Sequence, residues 1–243
     1  MNEQEKVDLL SRVNIFESLP KEEIRELLRD LLRQNAEINL GKGEVFYTPE
    51  QPDGKLFILI QGRVRIYKME GSREFTLEVV GAGTIFGEVA FTSHRLRDAY
   101  AEAAEPSILL AVERADVERL IRQKPQVGIR MINLLSERLH YYETRIEDVT
   151  LKEVPARLAS LILLLIESEG VRSRGEIRIP TSYTHQYLGT MIGANREAVT
   201  RAFGRLQDEG AVQIRRRIIY VNDVEALERA AGRPLDEEGE NLP

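Results

Sequence analysis

Hydrophobic and polar positions change their period several times along the chain. Residues 7–35 carry helical spacing: Leu27, Leu28, Leu31 and Leu32 form a stripe, and Pro20, with Glu22 and Glu23 behind it, marks a helix start. From 37 to 112 the pattern shortens into apolar runs at 44–47, 56–60, 64–67, 75–80 and 108–112. Glycines at 41, 43, 54, 62, 71, 81, 83 and 87 punctuate them. This predicts an all-β sandwich or roll, and a small barrel shares the pattern. A short helix follows over 115–123, ending near Pro125. The next stretch has no glycine or proline between 129 and 150, and Ile132, Leu135, Leu139, Tyr142, Ile146 and Val149 recur at alternating steps of 3 and 4. That is a heptad seam, suited to a partner helix. An amphipathic helix packed on its own β domain is the alternative. Residues 155–168 form a further helix, with Pro155 at its start and Gly170 as its stop. A strand at 175–180, two more helices and a closing hairpin complete the pattern.

The chain is therefore expected to be α+β. A β-roll spans 1–125, a dimerisation helix 126–150 and a winged helix-turn-helix 151–232. The acidic tail 233–243 lacks apolar periodicity and is expected to be disordered.

Composition narrows the chemistry. The 243 residues suit two domains and a linking element. The longest apolar run, 161–166, falls far short of the roughly 20 residues a membrane helix needs. The N-terminus has no signal-peptide core, so a cytoplasmic protein with no membrane partner is expected. There is no cysteine, which excludes disulfides, cysteine-ligated iron–sulfur clusters and thiolate catalysis. His94, His140 and His185 show no metal-ligand spacing, and no histidine precedes His94 in the roll, so neither a metal site nor a haem is expected. No nucleophile–base–orienter set is visible, and Gly81-Ala-Gly83 precedes another turn, not a helix, so an enzyme is not expected. The net charge of −6 hides an asymmetry: residues 151–232 carry 12 Lys+Arg against 10 Asp+Glu, while 1–150 carry 21 against 26. Contact with phosphate needs a basic face, not a basic protein.

The chemistry concentrates in residues 184–206. Thr184 and Asn195 are placed to cap two successive helices, with Gly193 at the turn between them. On the second helix Val199, Phe203 and Leu206 share one face, and Arg196, Glu197, Thr200 and Arg201 the other. Arginine can donate twice to guanine O6/N7 and glutamate can accept from cytosine N4, so this face suits a major-groove reader. Taken alone it equally suits a solvated face with a Glu197–Arg201 pair. Downstream, Arg215, Arg216 and Arg217 sit at the turn of a hairpin, where a basic wing would lie on phosphates, and Thr200 on the reader face is a candidate to join them. Helix pair and wing together favour double-stranded DNA.

These residues and the β region before them resemble the Crp/Fnr superfamily of bacterial transcription regulators over about residues 10–230. The most specific piece is 192–201, Ile-Gly-Ala-Asn-Arg-Glu-Ala-Val-Thr-Arg, which is similar to the recognition-helix signature of the family's cyclic-AMP-receptor branch. By position, Arg196, Glu197 and Arg201 correspond to that branch's base-reading residues, and Thr184 to a phosphate contact. The resemblance implies a cyclic-nucleotide-binding-like jelly roll and a homodimer on pseudo-palindromic operators with TGTGA-like half-sites. It also implies an activator that recruits RNA polymerase through exposed loops, with 168–176 in the corresponding position. A second piece, 85–91 followed by Arg97, is similar to the family's phosphate-binding cassette. It implies an effector pocket at Gly87, Glu88, Val89 and Arg97, closed by residues of the long helix.

Two departures bear on the effector. Asp98 stands where the family has Ser or Thr, and Tyr142 and Glu143 where that branch presents a Thr–Ser pair to adenine. An ionised Asp ~4 Å from a phosphate would cost roughly 4 kcal/mol at an effective dielectric of 20. Three readings stand side by side: cyclic AMP, another small effector, and no required effector, with Asp98 paired to Arg97. A nucleotide-binding module that regulates an enzyme or channel would explain the roll but not the reader helix and wing.

Overall fold

The structure is a computed structural model that describes residues 8, 11, 13, 16, 19–26, 37–49, 55–87, 99–173 and 176–232. It divides into two compact units, Met1–Tyr142 and Glu143–Pro243.

Among the described residues the first unit is built on eight strands: β1 (Glu37–Leu40), β2 (Val45–Tyr47), β3 (Lys55–Gln61), β4 (Arg63–Glu70), β5 (Arg73–Gly81), β6 (Ile85–Phe86), β7 (Tyr100–Ala103) and β8 (Ser107–Glu113). They form two four-stranded sheets, β1-β8-β3-β6 and β2-β7-β4-β5, with every pairing antiparallel. The continuous apolar run 56–60 has a physical reason: β3 is covered on both faces. Phe57 and Leu59 join Tyr47, Val64, Ile66, Phe86 and Leu109 in the core between the sheets. Leu56, Ile58 and Ile60 face the other way, with Leu110 and Val112, onto a second core that Phe16, Ile24, Leu120 and Val127 complete. A strand buried on both faces loses the polar alternation of a half-exposed one. Residues 21–26 are helical as the pattern predicts, and most of the remaining 7–35 lies outside the described residues.

Helix α1 (Arg114–Gln123) leads into the long α2 (Pro125–Leu151), in which the unit boundary falls between Tyr142 and Glu143. The second unit continues with α3 (Val154–Glu169), β9 (Val171–Ser173), β10 (Glu176–Ile179), α4 (His185–Ile192), α5 (Arg196–Asp208), β11 (Val212–Arg215), β12 (Ile218–Val221) and α6 (Val224–Ala230). Its sheet runs β11-β12-β10-β9. Leu158, Leu161, Ile162 and Leu165 of α3 pack with Leu188, Ile192, Val199, Phe203 and Leu206 in one core that fixes α4 against α5. The fold class is the expected one: a β-rich roll, a long helix and a helix-turn-helix with a hairpin. Among the described residues no helix is long and apolar enough to cross a membrane, and no group of His, Cys, Asp or Glu could hold a metal ion.

Candidate nucleic-acid interface

Both helices of the pair begin on side-chain caps. Thr184 Oγ1 accepts from the Tyr187 amide at 3.1 Å, and Asn195 Oδ1 accepts from the Ala198 amide at 2.8 Å. Each satisfies a backbone N–H the helix leaves free. The turn between them is left-handed at Gly193, φ 64° and ψ 42°. Gly189, one turn earlier, has a different role, since a Cβ there would stand 2.4 Å from the Ala194 carbonyl oxygen. Only a glycine lets the turn fold back so closely onto α4. Two arginines from outside the pair finish the end of α4. Arg145 Nη2 donates to the Met191 carbonyl, and Arg157 Nη1 donates to that of Ile192 at 2.8 Å. A cation there satisfies the orphan carbonyls and matches the negative end of the helix dipole.

With Val199, Phe203 and Leu206 buried, the opposite face of α5 is left to solvent. Arg196, Glu197, Thr200 and Arg201 are all exposed. Among the described residues Arg196, Glu197 and Arg201 form no side-chain hydrogen bond or ion pair, and the Glu197–Arg201 pair open at the level of sequence is not made. Thr200 is held: its hydroxyl donates to the Arg196 carbonyl at 2.9 Å and lies 2.8 Å from Nδ1 of His185, whose ring stacks on Phe203.

The three hairpin arginines separate into two kinds. Arg215 is tied to its own sheet: it forks onto Glu176 at 3.0 and 3.2 Å, reaches Gln213 at 2.6 Å, and lies over the Tyr220 ring at 4.8 Å. Arg216 and Arg217 form the two-residue turn between β11 and β12, both exposed and both at positive φ, 52° and 64°. They are the only non-glycine residues with positive φ among those described.

In the first unit, Gly87 closes β6 at φ +87°. Glu88, Val89, Arg97 and Asp98, the other cassette residues singled out, lie outside the described residues. Tyr142 turns its hydroxyl onto the roll and donates to Glu78 Oε2 of β5 at 3.0 Å. Arg138, one helical turn earlier and almost wholly buried, meets the same oxygen at 3.2 Å and donates to the Ile85 carbonyl at 3.0 Å. Neither Glu78 nor Arg138 stands out in the sequence. Their one signal is the i,i+4 spacing of Arg138 and Tyr142. Glu143 is exposed, in the second unit.

Along α2 the predicted seam residues Ile132, Leu135, Leu139, Ile146 and Val149 are exposed, Ile132 at 60%, Leu139 at 61% and Ile146 at 66%. Tyr142, the remaining seam position, is half-buried through its bond to Glu78.

Comparison with known proteins agrees with this geometry. Residues 37–124 match the cyclic nucleotide-binding domain family, and residues 156–230 the Crp-like helix-turn-helix domain family. The cyclic AMP receptor protein of Thermus thermophilus is 31% identical over 177 residues, covering 72% of this chain and 79% of that one. A CRP-like cAMP-activated global transcriptional regulator of Mycobacterium tuberculosis is 24% identical over 92% of this chain and 99% of its own length. Among solved structures, a CRP/FNR-family transcriptional regulator, also of Thermus thermophilus, superposes with a TM-score of 0.68 at 25% identity, over 81% of this chain and 98% of that one.

Proposed function

Since the chain belongs to the Crp/Fnr family of helix-turn-helix transcription regulators, we propose that it acts as a homodimer that reads pseudo-palindromic operators with TGTGA-like half-sites. One observation carries the reading: Arg196, Glu197 and Arg201 stand exposed and unpartnered among the described residues, on a helix capped at Asn195 and seated by a buried opposite face. Side chains that form no pairs on their own surface are free to bond base edges. Arg216 and Arg217 supply the sequence-blind phosphate term, Thr184 and Thr200 add to it, and Arg215 braces the wing. Two such helices related by a two-fold axis read half-sites about 34 Å apart. The regulator works in the cytoplasm as an activator, touching RNA polymerase through the segment about 168–176, and is not an enzyme.

Selection of duplexes from a random pool, followed by gel shift, tests the reading. The expected product is an inverted repeat with TGTGA-like arms. Arg196→Ala should relax the choice at one base pair by about 1–3 kcal/mol. An equal loss on every sequence would contradict its assignment as a base reader.

The roll has two readings. In the first, a small effector meets Gly87 and the cassette and displaces Tyr142 from Glu78. The two relatives named for cyclic AMP favour that nucleotide, while Asp98 and Tyr142 oppose it. The Glu78 cluster favours the second, in which α2 is already latched to the roll by Arg138 and Tyr142 and no effector is required. Operator binding by the protein with no effector added separates them, and calorimetric titration with cyclic AMP tests that nucleotide. No saturable heat, with operator binding intact, is the outcome for the latched protein.

A further inference from the structure

Resting on the DNA-reading assignment, we propose that His185 is a positioning residue of that interface, which ties α4 to Thr200 of the recognition helix and takes up a proton when duplex phosphates arrive. His185 is the first residue of α4, beside the cap Thr184, and its half-buried ring stacks on Phe203 of α5 with centroids 5.0 Å apart and planes 20° from parallel. Its Nδ1 lies 2.8 Å from Thr200 Oγ1. Thr200 has a single hydroxyl proton and gives it to the Arg196 carbonyl at 2.9 Å, so toward His185 it can only accept. Nδ1 is thus the donor and keeps its hydrogen in both charge states, and the proton that comes and goes is on Nε2. Among the described residues no hydrogen bond or ion pair engages that atom.

The electrostatics around the ring reverse when DNA binds. Arg196 of α5 is the charged group that acts on it, and α4 carries no other charged side chain. Burial first, and Arg196 second, hold the ring's pKa below its ordinary 6.5, so the free protein near neutral pH carries a neutral imidazole. A duplex brings the negative potential of its phosphates close to the ring, which outweighs the repulsion from Arg196 and favours the cation. Operator affinity therefore rises as pH falls through the DNA-bound pKa, by at most about tenfold per pH unit for each chain that takes up one proton. The free protein moves the other way. A lowered folded-state pKa means stability is complete above about 6.5 and falls as pH drops through the folded value. One ring therefore tightens the complex and loosens the free unit over the same range, well above the pH at which ordinary carboxylates titrate.

The test is calorimetry of the full chain with its selected operator duplex, in buffers of differing ionisation enthalpy, between about pH 6 and 7.5. Net proton uptake growing toward the acid end is expected. His185→Gln should abolish it and flatten the pH dependence of affinity, and should weaken binding at every pH as well, because the bond from Nδ1 to Thr200 goes with the ring. Thr200→Val should keep the uptake while weakening binding at every pH, because the tie is lost and the titrating atom is not. Equal uptake by wild type and His185→Gln, or tight binding by wild type with no uptake, overturns the role of His185 and leaves the DNA assignment standing. Failure of the wild-type chain to bind any duplex overturns both.

Discussion

The wing tip is the point where residue identity and backbone conformation disagree. A two-residue hairpin turn with both φ positive is the type I′ geometry, for which Asn-Gly is the favoured pair. This chain places two arginines there, Arg216 and Arg217. Each L-residue held left-handed costs roughly 1–2 kcal/mol. A conformational cost kept at an exposed site that contributes no packing fits a role for the two guanidinium groups outside the chain. Replacing the pair as Arg216→Asn with Arg217→Gly should stabilise the second unit toward urea by about 1–3 kcal/mol. The same variant should bind every duplex more weakly and lose about 0.9 from the logarithmic salt slope for each phosphate contact removed. An unchanged salt slope would mean that the tip does not touch the backbone. Arg215 behaves differently, because its fork on Glu176 holds β11 to β10. Its removal acts through the wing's rigidity.

At the scale of elements, α2 has two working faces, and the sequence displays only one of them. The heptad seam is legible because its members are apolar at a regular period. The other face is polar and reads as solvated, yet Arg138, Arg145 and Asp148 are buried. The two arginines are made tolerable there by partners far away in sequence: Glu78 and the Ile85 carbonyl for Arg138, the Met191 carbonyl for Arg145. Periodicity carries no information about such partners. A similar blindness hid β7, whose inward residues are Ala101 and Ala103: small side chains with little strand propensity, chosen by the narrow space between the sheets. The reader helix was legible nearly in full, because caps, turn glycine and face periodicity are all local. His185, bonded across to α5, was not.

The polar face of α2 also states how the element works. Lys152 bridges Asp148 at 2.7 Å and Ser160 of α3 at 3.1 Å, so the short link between α2 and α3 is strapped on the inside. Together with Arg145 on α4, this fastens the last turns of α2 to the reading unit through directional bonds, which hold register where apolar packing would allow sliding. Arg145→Met should leave the Met191 carbonyl without that donor and cost the second unit about 1–3 kcal/mol. Operator affinity should fall while the base preferences of α5 stay as they were. A changed consensus, with stability intact, would place Arg145 at the DNA itself.

For the molecule as a whole, the decisive quantity is the apolar stripe that α2 leaves uncovered. Ile132, Leu135, Leu139, Ile146 and Val149 are exposed along one helix. Isolated exposed apolar side chains are ordinary, but a row at heptad spacing is not, and covering each is worth about 1.5–3 kcal/mol. A second copy of the same helix supplies the matching row by symmetry, whereas an unrelated partner would have to reproduce the period. Leu139 lies midway along the row. In the proposed two-fold seam, Leu139→Asp would remove two leucines from the interface and set two carboxylates near each other. The apolar loss alone is about 3–6 kcal/mol, or at least a hundredfold in dimer dissociation. Sedimentation should then find monomers at concentrations where wild type is dimeric. Binding to a single half-site should be preserved, because α5 is untouched, while the gain from a second half-site on the same duplex disappears, because that gain is the effective concentration which linkage confers. Leu139→Met, which keeps volume and polarity, should restore both. A Leu139→Asp protein that still sediments as a dimer, with its full-site affinity intact, would place the symmetry axis on another surface and leave this stripe without a partner.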